Sequence, residues 1–251
     1  MSSSDNSFEN YPYIYQLPSP NKVTGKLIFK RAFRIIAVSI FAIQIYSIIA
    51  LAMYDFEILN LPDEYYLKSE ITSLFWYFIM TLVIIWDITR VNISPLYLFK
   101  IELEKLIKHL PQVLKYFAGC GAAVITMELL FPSTPEAVIN NNPTLIILSF
   151  ITTVIAAPIC EEIAFRGYLY TAMIPVFKRE RERLVVNAML FAAGHIFLIA
   201  FLLGAVVPYY IFIIGYFLAK LYNDSRSILP GIALHALNNG LVFAIEFYRM
   251  M

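Results

Sequence analysis

Residues Pro158–Gly167 read PICEEIAFRG and place two adjacent carboxylates, Glu161 and Glu162, and a guanidinium, Arg166, at the end of a long apolar run. Two further polar groups interrupt apolar stretches: His195, and His235 with Asn238 and Asn239. An ionisable side chain at the centre of a membrane helix costs roughly 2.5–3.5 kcal/mol, so such residues are kept for function or for pairing. Glu162 and Arg166 are four apart, share a helix face and can pair. Glu161 lies about 100° round the helix and is the carboxylate with no intrahelical partner. A carboxylate and an imidazole can activate water, while a second imidazole and an amide can stabilise an oxyanion. Those four groups suffice for metal-free hydrolysis. Each also has a plainer reading. Glu161 stands about 27 Å beyond Pro143 on a straight helix and could snorkel to an interface. His195, His235 and Asn239 could be hydrogen bonds between packed helices.

The elements that must hold these residues are membrane helices. Of the 251 residues, 60% are hydrophobic and 15% charged, against about 25% charged in a soluble domain. Several apolar runs approach the roughly 20 residues needed to cross a bilayer. The chain reads as an all-α, polytopic transmembrane bundle. The predicted spans are 33–54, 71–87, 111–131, 143–161, 184–203, 206–221 and 228–247; an eighth arises if 165–177 enters the membrane as a re-entrant piece. Between the second and third spans, residues 94–110 alternate Leu and Phe with Lys and Glu at helical spacing, which predicts an amphipathic helix on the membrane surface. Three regions follow: a polar tail over 1–32, N-terminal spans with the interfacial helix over 33–142, and a core over 143–248 that holds the polar groups.

Charge sets the expected orientation. With the N-terminus inside, all but three of the 19 Lys and Arg fall on the cytoplasmic side; Lys68 and Arg249 lie outside and Arg166 within the membrane. The positive-inside rule therefore predicts N-in, C-out. The first span serves as an uncleaved anchor, since no small-residue cleavage site follows a short apolar run. In this arrangement the polar groups of the fourth, fifth and seventh spans all reach the cytoplasmic half of the bilayer, where Gly167, Gly194, Gly231 and Gly240 allow close helix approach. The net charge of +1, with no basic–aromatic patch and no phosphate loop, offers nothing to nucleic acid. Cys120 and Cys160 lie in apolar runs and read as buried small hydrophobes.

Taken together, EEIAFR (Glu161–Arg166), FAAGH (Phe191–His195) and HALNN (His235–Asn239) fit the motifs EExxxR, FxxxH and HxxxN. The sequence resembles the CPBP intramembrane proteases, which include type II CAAX prenyl endopeptidases and the bacteriocin-processing and self-immunity proteins of the Abi group. The resemblance runs over about 143–247. It implies a glutamate-dependent, cofactor-free peptidase with Glu161 as general base assisted by His195, and His235 with Asn239 as oxyanion hole. Glu162 and Arg166 would orient the helix. The implied partners are membrane lipid and a membrane-associated or lipidated protein or peptide. Two alternatives stay open: zinc held by Glu161, His195 and His235 with water in the fourth position, and a non-catalytic membrane scaffold or immunity protein.

Overall fold

The computed structural model describes residues 25–53, 63–90, 101–130, 142–202 and 207–250. Among the described residues the regular structure is all helical. The helices are α1 (Gly25–Met53), α2 (Asp63–Thr89), α3 (Leu103–Leu130), α4 (Pro143–Met173), α5 (Glu180–Leu202), α6 (Val207–Ser225) and α7 (Leu229–Met250). Among the described residues, two helices are long and apolar enough to cross a membrane, over Tyr66–Thr89 and Pro143–Met173.

α4 is the axis of the molecule. Asn142 caps it, its Oδ1 accepting from Thr144 N at 3.0 Å, and Pro143 supplies a preset φ at the first position. Residues 163–174 are almost wholly buried, packed against α1, α2, α5 and α6. The expected end of the fourth span at Glu161, with 165–177 as a separate re-entrant piece, is therefore corrected: one rod runs through to Met173. The charged residues do not end it: Glu162 and Arg166 pair within the helix, and Gly215 O and Tyr77 meet Arg166 and Glu161 from neighbouring helices.

Within α4 the helix twice widens to i→i+5 bonding, over Ile151–Ala156 and Ile163–Tyr170. Pro158 gives a reason for the first. Its ring crowds the carbonyl one turn back and it offers no N–H. Ala157 N bonds Thr152 O, so the Thr153 carbonyl has no helical partner: position 157 is taken and position 158 is proline. Asn239 Nδ2 donates to that carbonyl at 2.9 Å. In the second widened stretch, Asn187 Nδ2 donates to Phe165 O at 2.9 Å. Wide turns of this kind recur at functional sites; here they flank the Glu161–Glu162 pair.

The expected surface helix over 94–110 is also revised. Residues 91–100 lie outside the described residues, and Leu103–Leu110 forms the opening turns of α3, which continues through Pro111. Tertiary anchoring holds the helix across the proline. Gln112 Nε2 donates to Asp224 Oδ2 at 3.0 Å, and Tyr116 stacks on Phe217 with centroids 4.4 Å apart. At the other end of the chain, α1 begins at Gly25, inside the predicted tail, because Ile28 and Ala32 are buried against the core.

Candidate active site

α7 starts from a short turn whose chemistry is local. Arg226 takes a left-handed φ of 59°, Ser227 Oγ accepts from Leu229 N at 3.3 Å, and Pro230 occupies the first turn. Gly231 then sits directly against α4. A Cβ there would lie 2.7 Å from Glu162 Oε2, so only glycine admits the carboxylate at this distance. His235 follows one turn later on the same face and is 5% exposed.

Glu162 and Arg166 are both fully buried and joined by a 2.7 Å bond from Nη1 to Oε1. Arg166 Nη2 donates to Gly215 O at 3.1 Å, and its guanidinium lies 4.4 Å from the centre of the Phe191 ring. The same ring packs edge-on to Phe165 and against both His195 and His235. Phe191 is thus a common surface beneath Arg166, His195 and His235. Its carbonyl accepts from His195 Nδ1 at 2.8 Å. A carbonyl can only accept, so Nδ1 carries the proton and a neutral His195 presents Nε2 as a lone pair. Gln44 of α1 donates to Gly194 O at 3.0 Å and clasps α5 beside this histidine.

Glu161 is 9% exposed, so it does not snorkel out of the fold. Its Oε2 lies 3.7 Å from His195 Nε2 and 3.9 Å from His235 Nε2, and this buried oxygen has no hydrogen-bond partner among the described residues. His235 Nδ1 faces Glu162 Oε1 at 3.3 Å. The structure therefore brings Glu161, His195 and His235 together around one point, with Glu162 and Arg166 behind them. Asn239 stands a turn beyond His235 and is engaged with Thr153 O. Asn238 is buried away from this cluster, where Tyr210 donates to its Oδ1.

Ligand bonds of roughly 2.0–2.1 Å would set the donor atoms of a tetrahedral zinc about 3.3–3.4 Å apart. The observed pairs are wider, and among the described residues no group of three or more His, Cys, Asp and Glu is placed to hold a metal ion. The gaps are wide enough for a bridging water molecule, which needs about 2.8 Å to each partner.

Sequence reasoning missed two contributors. Tyr77 of α2 donates its hydroxyl to Glu161 Oε1 at 3.0 Å; in LFWYF nothing marks it from neighbouring aromatics. Asn187 is fully buried on α5 two turns before His195, and its position inside an apolar stretch was the available signal.

The three motifs now occupy one connected set of contacts, all of it between residues 143 and 241. Those residues match the family model described as type II CAAX prenyl endopeptidase Rce1-like. Over this segment the chain is similar to that family. The matched family is one of proteases, in keeping with the motif resemblance. No curated protein and no solved structure matches the chain. The matched segment comprises α4, α5, α6 and the larger part of α7. Tyr77 comes from outside it, on α2.

Proposed function

We propose that the protein is a multi-pass intramembrane endopeptidase that cleaves a lipidated or otherwise membrane-associated peptide with a glutamate-activated water. One observation carries the reading: Glu161 Oε2 is buried, has no hydrogen-bond partner among the described residues, and is set between two imidazole Nε2 atoms at water-bridging distance. A water there donates one hydrogen to Glu161 Oε2 and the other to His195 Nε2, both of which are acceptors. As the water oxygen attacks the scissile carbonyl carbon, Glu161 takes its proton. The carbonyl oxygen becomes an oxyanion facing His235, whose protonated form presents Nε2–H, and Asn239. One N–H of the Asn239 amide goes to Thr153 O, and the other is the donor this role needs. Collapse breaks the C–N bond, with the proton held at Glu161 passing to the leaving amine.

A membrane setting fits the two apolar helices. Three side-chain bonds tie α2 to α4 in the same order along both: Ser149 to Glu70 at 2.7 Å, Tyr77 to Glu161 at 3.0 Å and Tyr168 to Asp87 at 2.6 Å. The two helices run parallel, so the chain must return between them, and α3, about 42 Å long at 1.5 Å per residue, has the length to do so. With the N-terminus cytoplasmic, as the charge distribution favours, the site belongs to the cytoplasmic half. Prenylated CAAX proteins are the substrate class the family description points to; bacteriocin-type precursors share the requirement for a membrane-bound peptide.

The test is cleavage of a farnesylated, fluorogenic CAAX-ended peptide by purified protein in detergent, comparing wild type with Glu161→Gln, each with and without chelator. The expected result is chelator-resistant cleavage by wild type and none by Glu161→Gln at unchanged melting temperature. Cleavage by Glu161→Gln would refute the base assignment. Loss on chelation, restored by one equivalent of zinc, would favour the metal reading.

A further inference from the structure

A glutamate side chain has three rotatable bonds, and a general base must hold one oxygen at the water in one orientation. Tertiary contacts have to supply that, since Glu161 lacks the intrahelical partner that fixes Glu162. The contact that does so arrives from outside the segment that matches the family model. Tyr77 Oη donates to Glu161 Oε1 at 3.0 Å, which leaves Oε2 as the oxygen facing His195 and His235. A phenol next to a carboxylate can only donate, so this bond distinguishes the two oxygens of the base.

The phenol is held in place as firmly as the base. Its own backbone carbonyl accepts from Thr81 Oγ1 at 2.9 Å. Two turns before it on α2, Glu70 receives Ser149 of α4 at 2.7 Å. Further along, Asp87 receives Tyr168 of α4 at 2.6 Å and Arg31 of α1 at 3.0 Å. Tyr77 is therefore fixed relative to α4 from both sides. Each of the ties between α2 and α4 ends on a carboxylate, but of these carboxylates only Glu161 also faces two imidazoles. Resting on the reading of Glu161 as the base, we infer that Tyr77 is a positioning residue for hydrolysis: its hydroxyl locks Glu161 with Oε2 toward the water and the two histidines, and α2 thereby forms part of the active site.

Positioning makes a distinct signature. The hydroxyl acts on the base rather than on the substrate, so Tyr77→Phe lowers kcat about tenfold or more and leaves KM within about twofold. The melting temperatures of wild type, Tyr77→Phe, Glu161→Ala and the double variant form a cycle that reads the bond without any substrate. The double variant should melt higher than the sum of the single losses predicts. Kinetics use the farnesylated fluorogenic peptide, with Glu161→Gln beside them. Normal kcat in Tyr77→Phe while Glu161→Gln is inactive overturns the inference and leaves the base assignment standing. A raised KM at unchanged kcat overturns it too, since the ring would then be binding substrate. Strictly additive melting shifts deny the bond itself and also overturn it. Turnover by Glu161→Gln sinks the base assignment and this inference with it.

Discussion

Gly231→Ala adds one methyl group at the tightest point behind the site. The new Cβ would lie 2.7 Å from Glu162 Oε2, 3.4 Å from Cδ and 3.8 Å from Cγ. An oxygen at the tip of a side chain usually swings away at little cost, but this one cannot. The other oxygen of Glu162 is bonded to Arg166 at 2.7 Å and faces His235 at 3.3 Å, and the whole carboxylate is buried. Overpacking of this kind costs about 1–3 kcal/mol, while replacing a helical glycine with alanine returns about 0.5–1 kcal/mol. The net expectation is a loss of about 1–2 kcal/mol, or a melting temperature lower by about 2–8 °C for a chain of this size. Turnover should fall about tenfold or more, because displacing Glu162 moves His235 and misplacements near 1 Å cost up to about 10². Gly119→Ala is the internal control: a Cβ there meets nothing within 4 Å, so only the propensity gain remains. Thermal unfolding in detergent and cleavage of the farnesylated peptide, run on both variants, give the comparison. If Gly231→Ala melts with Gly119→Ala, at or above wild type and with full activity, the account of the Glu162 cradle is wrong.

Arg166→Lys should lower the melting temperature and leave partial activity, since a lysine cannot bond Glu162 and the Gly215 carbonyl as a planar fork does; unchanged melting would count against the buried pair as a structural element. Asn239→Ala should reduce kcat by roughly 10²–10³ with little change in KM, the loss expected for one oxyanion donor. If instead only thermal stability falls, Asn239 serves the Thr153 carbonyl alone. Asn187→Leu should destabilise by about 1–3 kcal/mol in thermal unfolding, because the Phe165 carbonyl loses its buried donor; a neutral result would mean the widened turn needs no cross-helix support.

Much of the site was legible in the sequence because apolar helices make charge conspicuous. Glu161, Glu162, Arg166, His195 and His235 stand out wherever an ionisable group is costly, and the four-residue spacing already paired Glu162 with Arg166. The helical class followed from the same apolar runs. Their ends were less legible. The fourth helix was expected to stop where charge begins, yet it runs to Met173, because Gly215 O, His235 and Asn223 give its polar side chains partners that no local pattern contains. The surface helix expected over 94–110 joined α3 for a similar reason, a bond from Gln112 to a residue on α6. Tyr77 is the plainest case. Five consecutive residues from Leu74 to Phe78 are equally apolar-faced to a reader of the sequence. Which of them turns inward is set by the rotation of α2 against α4, a rotation held by Glu70 with Ser149 and Asp87 with Tyr168. The sequence alone thus determined which groups could do chemistry, because composition and spacing fix cost and local pairing. Tertiary structure alone decided which oxygen of Glu161 meets the histidines, because that orientation depends on contacts between residues 84 positions apart.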